Sequence, residues 1–227
     1  MVGRRLLLHP TPRPAPHCGN WAVTNMLGPR IILGVDLGKR TTPTTIAVVE
    51  QPTAPPLFDR VRHRTLPSSP TQALVLRWIE SIPLETSYRD VSAHIWRMAA
   101  HAAASEIWMD GTGVGVAVEE IVRTHKPPQS ACVLHSVMIT GVGKASRTSV
   151  PRLELLTRLA VEWEQKRIKV SDGLPHWPAL RKELLALDGD GHKQAGRDDL
   201  ALCLALAVWG IKGTGPPVGE RLTGRLF

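Results

Sequence analysis

Hydrophobic positions fall in short apolar runs and in stripes of helical period, and their order along the chain predicts an α/β protein. Ile31-Ile-Leu-Gly-Val-Asp36 is an apolar run ending in a turn, the pattern of a buried strand. Thr44 to Glu50, rich in β-branched residues, is a second strand, and Asp59 to Leu66 reads as a third. The small spacers between them suggest an antiparallel meander. From Tyr88 to Ser105 the period becomes helical, with Val91, Ile95, Met98 and Ala102 on one face. Glu106-Ile-Trp-Met-Asp110 reads as a fourth strand, and a glycine turn then leads into a helix near Val116 to Thr124.

Ala131 to Ile139 is the fifth strand, followed by a Gly/Lys/Arg loop. Helices are predicted over Pro151 to Gln165, with the proline near the first turn, and over Pro178 to Leu187. Asp188 to Gly196 is a polar, glycine-rich loop. The last helix, Arg197 to Ile211, is almost wholly apolar after its first turn. Three antiparallel strands, then strand–helix–strand, then helices, predict a mixed five-stranded sheet flanked by helices.

The 227 residues suit one domain with a full core, expected over 31–212. Residues 1–30 alternate prolines (Pro10, Pro12, Pro14, Pro16) with small or polar residues and carry Arg4, Arg5, Arg13 and Arg30 without an acid. They read as a basic, proline-rich flexible leader, and 213–227 as a Gly/Pro-rich tail. No apolar stretch approaches the roughly 18 residues of a membrane span. The run Leu6-Leu-Leu8 is too short for a signal peptide, so a cytoplasmic protein is expected.

A net charge of +8 and a pI near 9.9 suit a polyanionic partner, nucleic acid first among them. Cys18, Cys132 and Cys203 are odd in number, scattered and without a CxxC pair, so they predict neither a disulfide framework nor a zinc site. The histidines show no HExxH pattern; His94 and His101 share a helix face and read as a solvated or core-edge pair. The tryptophans (Trp78, Trp96, Trp108, Trp163, Trp177, Trp209) fall mostly at apolar helix or strand positions and read as core.

The acids carry the chemistry. Asp36 ends the first strand and precedes Leu37-Gly38; Asp110 ends the fourth and precedes Gly111-Thr-Gly-Val-Gly115; Asp198 and Asp199 open the apolar last helix. An unpaired carboxylate beside such apolar segments is costly to desolvate, and carboxylates gathered together repel until a cation or a proton intervenes. Hard oxygen donors favour Mg²⁺ or Mn²⁺ over zinc, and two such ions can hydrolyse a phosphodiester. Alone, each motif has an ordinary reading: an Asp-x-Gly turn, a strand-to-helix turn, or acids at a positive helix N-terminus.

Together, Gly34-Val-Asp-Leu-Gly38, Trp108-Met-Asp-Gly-Thr-Gly-Val-Gly115 and Arg197-Asp-Asp-Leu-Ala-Leu-Cys-Leu-Ala-Leu-Ala-Val-Trp209 resemble the nuclease domain of phage terminase large subunits. Val137-Met-Ile-Thr-Gly141 and the following helices extend the resemblance over Ile31 to Trp209. It implies a ribonuclease H-like fold and two bound Mg²⁺ or Mn²⁺ ions. It also implies endonucleolytic cleavage of double-stranded concatemeric viral DNA during packaging. Asp36 would be the central metal ligand, Asp110 the second, and Asp198 with Asp199 would complete the site. Adjacent helical residues point about 100° apart, so one of that pair would bind directly and the other through water. Lys144 and Arg147, in the loop after the fifth strand, with Lys39 and Arg197, are candidate contacts to DNA phosphates. Implied partners are double-stranded DNA, a separate packaging ATPase, a small terminase subunit and a portal, in a phage- or prophage-encoded protein of a bacterial host.

The chain departs from the family pattern at Thr42, where an acid is frequent, and at Arg197, where a histidine is frequent. A motor half is not expected: Gly141-Val-Gly-Lys-Ala-Ser146 lacks P-loop spacing and has Ala145 after the lysine. Rival readings are a Holliday-junction resolvase or transposase-type nuclease, an actin-like or sugar-kinase ATP-binding protein, and a degenerate prophage DNA-binding remnant.

Overall fold

Strand β1 (Arg30–Asp36) alternates its side chains between two cores: Ile32 belongs to one, Leu33 and Val35 to the other. The computed structural model describes residues 28–38, 41–53, 58–59, 64–65, 71, 73–112, 115–146, 148–171, 173–186 and 198–212. In chain order the remaining strands are β2 (Thr44–Gln51), β3 (Phe58–Asp59), β4 (Arg64–Thr65), β5 (Leu74–Ile82), β6 (Glu106–Asp110), β7 (Val133–Thr140), β8 (Ser149–Pro151) and β9 (Ile168–Val170). The helices are α1 (Tyr88–His101), α2 (Gly115–Thr124), α3 (Arg152–Glu164), α4 (Trp177–Ala186) and α5 (Asp199–Lys212).

The main sheet has seven strands in the order β8-β7-β6-β1-β2-β5-β9, two more than the five expected. β1 pairs antiparallel with β2 and parallel with β6, and β6, β7 and β8 continue in parallel. On one face Val91, Ile95, Trp96 and Ala99 of α1 and Val118 and Val122 of α2 pack on Leu33, Val35, Ile46, Val48, Ile107 and Met109. On the other face α3, α4 and α5 cover Ile32, Ala47, Val49, Leu74, Leu76 and Trp108. The result is a mixed sheet between two helical layers, the α/β class expected.

The meander is present, but its third strand is not where the sequence pattern put it. Residues 58–59 and 64–65 form a separate two-stranded sheet, and β5 takes the place beside β2. β5 is hard to recognise because it carries a bulge: Val49 pairs with Leu76 and Val48 with Trp78, leaving Arg77 as the extra residue. Leu76 and Ile79, on one face, are therefore three apart, and Ile82, buried in the opposite core, is three further on, a spacing that imitates a helix. β8 and β9 are three-residue strands, too short to give a periodic signal.

The helix expected to begin at Pro151 begins at Arg152, because Pro151 is extended and ends β8. Residues 1–27 of the expected leader and the tail, as well as Asp188–Gly196, Arg197 and Cys18, lie outside the described residues, whereas Arg30, expected in the leader, begins β1. Cys132 and Cys203 are buried free thiols. Trp96, Trp108 and Trp209 are core residues, whereas Trp78 is 39% exposed. His94 meets Glu80 at the sheet margin, as a core-edge histidine, and His101 is exposed. Among the described residues no helix is long and apolar enough to cross a membrane.

Candidate active site

Asp36 and Asp110 are the last residues of adjacent parallel strands, one step beyond the paired Val35 and Met109. Period-two alternation puts Asp36 on the face of Ile32 and Gly34, and Asp110 on the face of Trp108. This is the face that α5 covers. Both chains then turn sharply. Gly38 donates its N–H to the Thr44 hydroxyl at 3.0 Å, and a Cβ built on it would lie 2.2 Å from the Thr42 carbonyl, so the hairpin closes only around glycine. Asp110 Oδ1 accepts the Thr112 N–H at 2.7 Å, while Gly111 N donates to the Val137 carbonyl at 2.9 Å. These bonds tie the Asp110 turn to β7.

α5 reaches these strand ends through two close approaches. A Cβ on Gly34 would lie 1.9 Å from the Cys203 carbonyl oxygen, and one on Gly210 would lie 2.4 Å from the Trp108 ring. The helix backbone therefore rests directly on β1 and β6. Thr45, the register partner of Asp36, donates its hydroxyl to the Asp199 carbonyl at 2.8 Å and so fixes the start of α5 beside β1.

Asp198 and Asp199, equivalent in the sequence, have different surroundings. Asp198 precedes the helix and accepts the Leu202 N–H through its carbonyl at 2.8 Å. Its residue exposure is only 9%, and its carboxylate forms an ion pair with Arg152. Asp199 is the first helical residue and is half-buried.

Two residues join the acids that sequence reasoning did not single out. Glu183 of α4 accepts the Ala201 N–H at 2.8 Å, supplying to α5 a capping acceptor from another helix. Arg152, the first residue of α3, faces both Asp198 and Asp36. Burial lowers the Arg152 guanidinium from its ordinary range and the Asp36 charge acts in the opposite direction. On Cys203, burial drives the thiol well above its ordinary value, and Asp36 and Glu183 add to the rise. Asp36 and Glu183 thus both bear on the first turns of α5. Neither Glu183 nor Arg152 has a local motif; each meets the site only through tertiary packing.

Of the proposed phosphate contacts, Lys144 is exposed in the loop after β7, at the same sheet edge as Asp110. Lys39, Arg147 and Arg197 lie outside the described residues. The string Gly141–Ser146 is an exposed loop leading to β8, not the strand-to-helix cradle of a P-loop. Among the described residues, no three His, Cys, Asp or Glu side chains are grouped so that they could hold a metal ion.

No family model matches the sequence, and no curated protein matches it significantly. Solved structures show the fold. The fold is that of terminase large-subunit nuclease domains, a ribonuclease H-like architecture. The large terminase nuclease of thermophilic phage G20c, with bound magnesium, superposes with a TM-score of 0.51 at 18% identity, over 79% of this chain and 80% of that one. The nuclease domain of the large terminase subunit of bacterial virus Sf6 gives 0.54 at 11% identity, over 80% and 89%. The manganese-soaked human cytomegalovirus terminase nuclease domain gives 0.50 at 15% identity, over 84% and 86%.

Proposed function

We propose that this chain is a divalent-metal-dependent endodeoxyribonuclease that cuts double-stranded viral DNA, as the nuclease part of a terminase large subunit in genome packaging. The observation that carries the reading is the placement of Asp36 and Asp110 at the ends of adjacent parallel strands, on the face covered by α5, with Asp198 immediately before that helix. Ligand sites of open α/β sheets form at the carboxyl ends of strands. The similarly folded terminase nucleases with bound magnesium and soaked with manganese point the same way.

The donor set fits a hard cation. It consists of carboxylate oxygens, and two of its members, Asp198 and Asp36, already face the guanidinium of Arg152. Asp36 and Asp110 would hold the ions from the sheet and Asp198 from the helix start, with Asp199 assisting through water. When bound, a pair of Mg²⁺ or Mn²⁺ ions would supply an activated water and stabilise the leaving oxygen of the phosphodiester. The protein's own part is orientation: Thr45 and Glu183 hold the start of α5, the Asp110 turn is tied to β7, and Trp108 seats α5 at Gly210. Lys144, with Lys39, Arg147 and Arg197, would contact backbone phosphates, which position a duplex without reading its sequence.

The test is a substrate comparison in Mg²⁺, Mn²⁺ and EDTA with linear duplex, supercoiled plasmid and a four-way junction. Metal-dependent cutting of plasmid and linear duplex supports the packaging nuclease. Cutting confined to the junction would replace it with a resolvase.

A further inference from the structure

Arg152 has a place in the fold unlike that of Arg30, Arg77, Arg123 and Arg167. Arg30, Arg77, Arg123 and Arg167 meet glutamates (Glu106, Glu50, Glu119 and Glu162), whereas Arg152 meets one of the motif aspartates. Its side chain is 32% exposed and that of Asp198 is 12% exposed, so the pair lies largely out of water. The preceding residue, Pro151, pairs with Thr140 of β7 and so anchors the start of α3 to the sheet. The guanidinium thus enters the acidic corner from α3, opposite the sheet that carries Asp36.

We propose that Arg152 is a built-in counter-ion that occupies the place of a cation at the acidic site and competes with an incoming divalent ion for Asp198. The inference rests on the metal-nuclease reading above and goes beyond it by naming what the metal must displace. An arginine stays charged throughout the physiological pH range, so the competition cannot be relieved by deprotonation. Its planar fork matches a carboxylate, and a partly buried pair of this kind is weakened little by salt. Removing one partner leaves the other charge uncompensated, which destabilises the fold. A metal ion reaching Asp198 must therefore break an existing interaction, and its apparent affinity is lowered by the strength of that pair. In the metal-free protein Arg152 also offsets the repulsion that the carboxylates would otherwise exert on one another.

The experiment is Mn²⁺ titration of the full chain by calorimetry, together with thermal melts in EDTA and in Mn²⁺, for wild type, Arg152→Gln and Arg152→Lys. Arg152→Gln is expected to melt lower in EDTA, to bind Mn²⁺ about tenfold more tightly, and to gain more melting temperature from Mn²⁺ than wild type does. Arg152→Lys keeps the charge but loses the fork, and its Kd should fall between the two. It also stands in as the decisive variant should Arg152→Gln fail to fold. Equal or weaker Mn²⁺ binding in the folded variants would overturn the competition while leaving the metal reading intact. Absence of Mn²⁺ binding in wild type and variants alike would overturn both.

Discussion

Gly34 lies directly beneath the Cys203 carbonyl, so close that a Cβ on the glycine would fall 1.9 Å from that oxygen and 2.6 Å from Ala207 N. The glycine before the first aspartate therefore brings the helix of the third acid onto the strand of the first. Gly34→Ala should act as backbone overpacking, with a cost at or above the usual range of about 1–3 kcal/mol. At the upper end of that range the melting temperature falls by roughly 6–12 °C for a domain of this size. A thermal melt checks this, and an unchanged midpoint would show that α5 can move off the sheet freely.

Glu183 should prove a structural neighbour of the site. Its carboxylate accepts the Ala201 N–H where the helix leaves a donor unsatisfied. Glu183→Ala should cost about 1–2 kcal/mol in urea denaturation, the scale of a lost helix cap. Glu183→Gln keeps an acceptor and should recover most of that loss. Equal stability of the alanine variant and wild type would remove Glu183 from the account.

The strands that end in Asp36 and Asp110 were legible in the sequence, while the residues that surround Asp198 were not. β1, β2 and β6 are apolar or β-branched runs, and the expected Glu106–Asp110 matches β6 residue for residue. That Asp36 and Asp110 share a face follows from the register Val35↔Met109, which alternation within each strand does not supply. β5 was lost because the extra Arg77 breaks its alternation. Arg152 and Glu183 were lost for another reason: a counter-ion and a cap supplied from other helices leave no local pattern beside Asp198. The same burial separates Asp198 from Asp199, which the sequence could not do.

That separation is testable. Asp198→Asn should reduce cleavage by more than about 100-fold, whereas Asp199→Asn should cost about tenfold, the lower end of the range for a group acting through a second layer. The Thr45 bond to the Asp199 carbonyl is to the backbone and survives either change. Equal losses in single-turnover cleavage would mean that both carboxylates act directly.

The buried thiols give a pH dependence with a definite sign. Burial pushes Cys132 up to about 11, with Lys126 opposing the rise and Glu106 adding to it, and Cys203 rises well above its ordinary value. The folded protein therefore retains protons that the unfolded chain releases above an ordinary thiol value of 9.0. Their stabilising contribution is fully present below pH 9.0, and that of Cys132 is lost as pH rises to about 11. Urea midpoints should fall over that interval and fall less in Cys132→Ala. Both thiols should resist alkylation at pH 8 until the protein unfolds.

The most direct test of the central claim is incubation of the purified chain with supercoiled plasmid in Mg²⁺, in Mn²⁺ and in EDTA, beside Asp36→Asn. The account predicts nicking or linearisation in at least one metal, none in EDTA, and its loss in the folded Asp36→Asn protein with DNA binding retained. Asp36→Asn that cuts like wild type, or a wild-type protein that binds DNA and cuts under none of these conditions, would contradict it.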